Sequence, residues 1–189
     1  RGEPRVVADF PAAVTWDGGR LPGQWLTRRA IDLAMPRSRV NGSCAVSIRR
    51  SHHLGCLAAY LLRATEQGFV IVLTCSDPNV ASVAPYGGRR AVFTPNPVAA
   101  GWPTAGDPVL LDVSMSITTN AVTKRLHGEG RRFPGVWALD ADGAPTNDPA
   151  VLSATPAGTL LPGAAANFTR SVVCSNPLSS LLSSVLDVN

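Results

Sequence analysis

Cys44-Ala45-Val46-Ser47-Ile48-Arg49-Arg50-Ser51-His52-His53-Leu54-Gly55 is the stretch that decides how this chain is read. Cys44 to Ile48 is a short apolar run and predicts a buried strand. Leu54 to Glu66 carries the apolar spacing of a helix. Ser51 is suited to cap that helix, because its hydroxyl can accept from a free N–H of the first turn. His52 and His53 then fall where a strand hands over to a helix. In open α/β sheets that edge is where ligands bind, and an imidazole there can exchange a proton near neutral pH. The same spacing also fits two first-turn residues that merely hydrogen-bond a neighbouring loop.

Outward from this stretch, Phe69 to Thr74 is a continuous apolar run without alternation, which predicts a strand buried on both faces. Gly68 is placed to end the preceding helix. Strand–helix–strand from Cys44 to Cys75 then reads as a right-handed βαβ unit. Upstream, Arg5 to Ala8 and Ala13 to Trp16 read as strands split at Pro11. Gln24 to Met35 reads as a helix stopped by Pro36. Downstream, Asp77 to Asp107 is rich in proline and glycine and reads as loops. Val109 to Asp112 is a strand, Ile117 to Leu126 a helix, Val136 to Leu139 a short strand and Gly158 to Gly163 a loop. In the tail, Leu178, Leu181, Leu182, Val185 and Leu186 make one apolar helical face. No repeat or internal boundary shows, so a single α/β domain is expected.

Of the 189 residues, 45% are hydrophobic and 16% charged, the balance of a folded core rather than a disordered chain. The net charge of +4 comes from scattered pairs such as Arg28-Arg29 and Arg131-Arg132, with few aromatics between them. That pattern suits a small anionic ligand and not a nucleic-acid surface. No apolar run reaches the length of a membrane span, and the first residues carry no signal-peptide pattern. Cys44, Cys56, Cys75 and Cys174 form no Cys-x-x-Cys pair, and the first three lie in apolar runs. Buried thiols in a reducing, cytoplasmic compartment are expected. The adjacent histidines have no third ligand at helical or hairpin spacing, so no metal is expected.

Three further groups could carry chemistry. Gly87-Gly88 would let backbone approach a bulky ligand, and Pro95 and Pro97 fix the backbone of Asn96 between them, though a plain tight turn fits both. Asp112 ends a strand, and Val113-Ser114-Met115-Ser116 offers hydroxyls and N–H groups at a helix start, which suits an anion or a ribose. Asp112 could equally be that helix's N-cap. Ser76 of Ser76-Asp77-Pro78 follows a strand and could touch a ligand or belong to a turn. There is no G-x-G-x-x-G and no phosphate-loop lysine. His127 has charged neighbours and reads as solvated.

Taken in order, these residues resemble a known family. Ser51-His52-His53-Leu54-Gly55 resembles the Ser-x-His-x-Gly motif of the malate/L-lactate/ureidoglycolate dehydrogenases, a family that also holds cyclic imino acid reductases and sulfolactate dehydrogenases. Gly23-Gln24 through Met35, Pro85-Tyr86-Gly87-Gly88, Thr94-Pro95-Asn96-Pro97, Leu111-Asp112-Val113-Ser114, Trp137-Ala138-Leu139-Asp140 through Pro149, and Leu160-Leu161-Pro162 resemble its other landmarks in sequence order. The resemblance covers Arg5 to Gly163. It leaves 1–163 as a dehydrogenase-like core, incomplete at its N-terminus, and 164–189 as a divergent tail with an amphipathic helix. The sequence starts after the position of the family's Ser-His-Gly helix, and the family's lysine after Leu-Leu-Pro is absent from Gly163-Ala164-Ala165-Ala166-Asn167.

The resemblance implies an α/β fold with a mixed central sheet and flanking helices, not a Rossmann domain, in a homodimer. It implies hydride transfer between NAD or NADP and a small anionic 2-oxo/2-hydroxy acid, or a cyclic imine. His53 matches the proton donor and acceptor. Ser76, Asn96, Asp112, Val113 and Ser114 match cofactor contacts, and His52 and Gly88 are expected on the substrate side. A helix N-terminus disfavours a nearby imidazolium, so Asp112 is the carboxylate expected to support His53. A truncated relative that only binds or dimerises remains the alternative.

Overall fold

Pro11 and Ala12 turn the chain between two strands. β1 (Arg5–Phe10) and β2 (Ala13–Asp17) pair antiparallel, with Val6 opposite Trp16 and Phe10 opposite Ala13. The computed structural model describes residues 2–163 and the backbone of 172–173. β3 (Ala45–Arg49) lies parallel to β2 and sets Arg49 opposite Asp17. Parallel neighbours need a crossover, and α1 (Gly23–Asn41) supplies it. The strand–helix–strand unit therefore lies one strand earlier than Cys44 to Cys75. β4 (Ile71–Thr74) belongs to a different sheet from β3.

α1 also runs through Pro36 instead of ending there. Proline removes one donor from the ladder, but side chains past it hold the extra turn in place. Arg37 pairs with Asp9 and donates to the Phe10 carbonyl, Ser38 Oγ donates to the Ala34 carbonyl, and Asn41 Nδ2 donates to the carbonyls of Arg37 and Pro11. The helix is thus pinned to the β1–β2 hairpin beyond its proline.

α2 (Ala58–Thr65) starts later than the apolar spacing suggests, and Ser51 caps nothing. The cause is tertiary. His52 N–H donates to the Leu21 carbonyl at 3.0 Å, Gly55 takes φ 80°, and the Tyr60 hydroxyl donates to the Leu54 carbonyl. Ser51 to Cys56 is held as a loop, and Gly68 follows the helix at φ 80° as expected.

β4, β5 (Val98–Trp102), β6 (Val109–Val113) and β10 (Val172–Val173) form one sheet in the order β10-β6-β5-β4. β4 alternates instead of being buried on both faces, and Val72 is 61% exposed. α3 (Asn120–Gly128) follows, capped by the Thr119 hydroxyl, which accepts from Val122 N–H at 3.1 Å. β7 (Ala138–Leu139) pairs antiparallel with both β8 (Pro145–Thr146) and β9 (Thr159–Leu160). The stretch Gly158 to Gly163 therefore holds a strand. The fold is mixed α/β, as expected, on three small sheets in place of one central sheet.

Two compact units result. Among the described residues, the first takes those up to Val72 with Ala100–Leu110, the second Leu73–Ala99 with those of Leu111–Val173. In the first, Val14, Trp16 and Ala30 pack with Leu33, Val46 and Ile48. In the second, Val83, Leu126, Phe133, Ala138 and Leu160 pack with Phe93, Val122, Trp137, Val151 and Leu152. Cys44 and Cys75 are half-buried and Cys56 is exposed, so the thiols are less buried than their apolar runs suggest. Cys174 and the expected tail helix lie outside the described residues. Among the described residues no helix is long and apolar enough to cross a membrane.

Candidate functional site

The loop Asp17 to Gly23 carries the histidine segment of the first unit. Gly18 N–H donates to the Arg49 carbonyl at 2.8 Å, Arg20 N–H to the Arg50 carbonyl at 2.7 Å, and His52 N–H to the Leu21 carbonyl at 3.0 Å. The two backbones run so close that a Cβ on Gly23 would lie 2.3 Å from the His52 carbonyl oxygen. His52 and His53 are exposed, and neither belongs to a helical first turn. With α2 starting only at Ala58, the helix-terminus argument about the His53 charge lapses. Gly55 N–H donates to His53 Nδ1 at 3.1 Å. With Nδ1 accepting, the neutral ring carries its proton on Nε2.

Strand ends gather in the second unit. Cys75 N–H, just past β4, donates to the Pro97 carbonyl at 3.4 Å. Met115 N–H, just past β6, donates to the Pro95 carbonyl at 2.8 Å, and Ser114 Oγ donates to the same carbonyl at 3.2 Å. Ser114 Oγ lies 2.9 Å from Ser116 Oγ, and Ser116 donates to the Thr118 carbonyl at 2.5 Å. Gly163 N–H closes the group on the Met115 carbonyl at 2.6 Å. Burial pushes the Cys75 thiol up, and the neighbouring Asp112 carboxylate adds to it. Ser76, Asn96, Asp112, Val113 and Ser114 are thus brought together at the ends of three strands. Asp112 lies inside β6 and caps no helix; α3 begins only at Asn120, so no helix start faces a ligand here.

Asn96 is the distinctive member. Its backbone sits at φ 42°, and its Oδ1 is buried with no hydrogen-bond partner. An unpaired buried acceptor costs ~1–3 kcal/mol, and a bound donor group removes that cost. A nicotinamide dinucleotide offers such donors in its carboxamide N–H₂ and ribose hydroxyls, so the residues present fit that cofactor. Gly88 sits in its own turn, with its N–H donating to the Pro85 carbonyl at 2.8 Å. His127 is exposed on α3. Among the described residues no three His, Cys, Asp or Glu side chains gather as metal ligands would.

The residue that the sequence left unmarked is Asp17, readable there only as part of an Asp-Gly-Gly turn. Its side chain is 3% exposed and meets three arginines, Arg5, Arg49 and Arg50. A charged residue closing an otherwise apolar strand, Ala13 to Trp16, was the one available signal.

A model of the malate/L-lactate dehydrogenase family matches residues 1–181. Hydroxycarboxylate dehydrogenase B of Escherichia coli O157:H7 is 33% identical over 158 residues, 83% of this chain and 44% of that protein. L-lactate dehydrogenase of Cupriavidus necator is 33% identical over 165 residues, 86% of this chain and 47% of that protein. The solved delta1-piperideine-2-carboxylate reductase of Pseudomonas syringae pvar. tomato superimposes with a TM-score of 0.75 at 30% identity, covering 89% of this chain and 50% of that one. The chain spans about half the length of the relatives it matches. With a family model running along nearly all of it, this chain belongs to the malate/L-lactate dehydrogenase family.

Proposed function

We propose that the chain is the central part of an oxidoreductase that moves hydride between NAD or NADP and a small 2-oxo/2-hydroxy acid. The observation that carries this is the exposed His53 ring, on a segment anchored through the His52 N–H to the Leu21 carbonyl. Support for the cofactor comes from relatives named as an NADP(+) sulfolactate dehydrogenase and an NAD(+) ureidoglycolate dehydrogenase. Asn96, Ser76 and Asp112 to Ser114 would hold the dinucleotide, with Asn96 Oδ1 accepting from it. When bound, it supplies or takes up the hydride at the substrate carbon.

His53 supplies the matching proton to the substrate oxygen in reduction and takes it back in oxidation, a role worth ~100 to 10,000-fold in rate. To donate, the ring must carry protons on both nitrogens, and to take the proton back on Nε2 it must carry its own on Nδ1, so the Gly55 N–H has to release Nδ1 in either direction. His52 and Gly88 are proposed as substrate contacts. The half-buried thiols Cys44 and Cys75 support a reducing, cytoplasmic setting. A homodimer is proposed, with exposed Val6, Val7 and Phe10 on the edge strand β1 in its favour.

The test pairs binding with turnover. NADH and NADPH fluorescence titrations should show saturable binding to the chain. His53→Asn should keep that affinity and lose at least a hundredfold in kcat with a 2-oxo acid. Binding of neither dinucleotide at millimolar concentration, or full turnover by His53→Asn, would overturn the reading. A cyclic imine belongs on the substrate panel, because the reductase fold matches.

A further inference from the structure

We infer that Asp17 is the positioning residue of the histidine segment: its carboxylate grips the Arg50 side chain and so holds the left-handed turn from which Ser51-His52-His53 departs. The inference rests on the role proposed above for His53.

Asp17 closes β2, and its carboxylate is buried and saturated. Oδ1 accepts from Gly19 N–H at 3.1 Å and from Arg50 Nε at 2.8 Å. Oδ2 faces Arg49 Nη2 at 3.2 Å and Arg5 Nη2 at 3.5 Å. Four contacts use the acceptor sites a carboxylate has. The contacts to Arg5 and Arg49 join neighbouring strands, and the strand register accounts for them. The Arg50 contact does something else, since Arg50 lies past the end of β3 and holds φ 54°. An L side chain is disfavoured there, and such a residue persists only where its surroundings over-determine it. Those surroundings are the Asp17 carboxylate, the Arg20 N–H on the Arg50 carbonyl, and the His52 N–H on the Leu21 carbonyl. The direction in which the chain leaves Arg50 sets where His52 and His53 stand. Asp17 touches neither histidine's ring in this account and acts through Arg50.

The experiment uses the 189-residue chain with Asp17→Asn, Arg50→Gly and the double variant. Readouts are kcat, KM, thermal unfolding, and ¹⁵N NMR of the His53 ring with the Gly55 amide. Asp17→Asn should lower kcat about tenfold with the dinucleotide KM unmoved, and should shift or broaden the His53 and Gly55 signals. Glycine adopts the left-handed turn without a side-chain penalty, so Arg50→Gly in the Asp17→Asn background should restore kcat to within about threefold and restore the signals. A double variant as slow as Asp17→Asn, or slower, overturns the inference. If the chain proves to have no turnover, the dehydrogenase reading fails, but the NMR arm still decides: unchanged His53 and Gly55 signals in Asp17→Asn overturn the positioning role. If Asp17→Asn does not fold, Arg50→Leu and Arg50→Gly are compared. Both lose the grip, and the inference requires perturbed His53 signals in the leucine variant alone; equal spectra overturn it.

Discussion

Gly23→Ala is the sharpest perturbation available. A Cβ at Gly23 would lie 2.3 Å from the His52 carbonyl oxygen and 2.8 Å from that of His53, whereas ordinary contact begins near 3.4 Å. The obstruction is backbone, so no side chain can swing aside. α1 cannot retreat either, because Leu26 in its first turns is fully buried and Leu26 N–H is bonded to the Pro22 carbonyl at 3.1 Å. The histidine segment must therefore move by about 1 Å. Overpacking of this kind costs ~1–3 kcal/mol, which in a chain of this size lowers Tm by roughly 3–10 °C. A 1 Å misplacement of a reacting group costs on the order of a hundredfold in rate. The assay is steady-state kcat at saturating dinucleotide alongside thermal unfolding, with Gly128→Ala as control, since a Cβ there meets nothing within 4 Å. A folded Gly23→Ala chain with wild-type kcat, or a control equally damaged, would refute the claim that α1 seats the histidines.

Asn96→Gly keeps φ 42° accessible and removes the unpaired Oδ1; it should leave Tm unchanged and weaken NADH or NADPH binding about tenfold in a fluorescence titration. Asp17 is held at about 2 against 3.8, first by the Gly19 N–H and then by the Arg50 and Arg49 guanidiniums. Its folded value is depressed, so its stabilisation is whole above about 3.8 and is lost as pH falls toward 2; Asp17→Asn should flatten that limb of an acid-unfolding curve. Pro36→Ala returns an N–H to an exposed turn of α1 and should raise stability by about 1 kcal/mol in urea unfolding. Leu160→Ala empties a fully buried position of the second core and should cost ~2–5 kcal/mol in the same assay.

How much of this was legible depends on how local each determinant is. The neighbourhood of Ser76 and Asp112 to Ser114 was readable because each follows or ends an apolar run, and strand ends meet once strands pair; Asn96 was marked only by its flanking prolines. Ser51 was misleading. The capping rule sees only a hydroxyl before a helix, while the backbone of His52 is drawn to Leu21, far away in sequence. Pro36 misled for a related reason: the rule counts a missing donor and not the side chains of Arg37, Ser38 and Asn41 that anchor the next turn. Val72 was misread because an unbroken apolar run says nothing about whether a second layer covers it. Asp17 and Gly23 were silent because their meaning lies in Arg50 and His52, which only the fold brings beside them.

Several positions break local rules, and four of them flank the candidate residues. Gly18 and Gly23 leave no room for a Cβ, Arg50 and Asn96 are left-handed without being glycine, and Asn96 holds a buried acceptor unpaired. Neither hydrophobic cluster contains any of them. Stability alone gives no reason for Arg50 and Asn96, since a glycine at Arg50 or an apolar side chain at Asn96 would relieve strain or desolvation. Two of the four bound the loop under His52 and His53, one precedes those histidines, and one stands among the strand ends that fit a dinucleotide. Departures from local preference that the cores do not require are where function is expected to lie. Here they mark the histidine segment in one unit and the Asn96 cluster in the other.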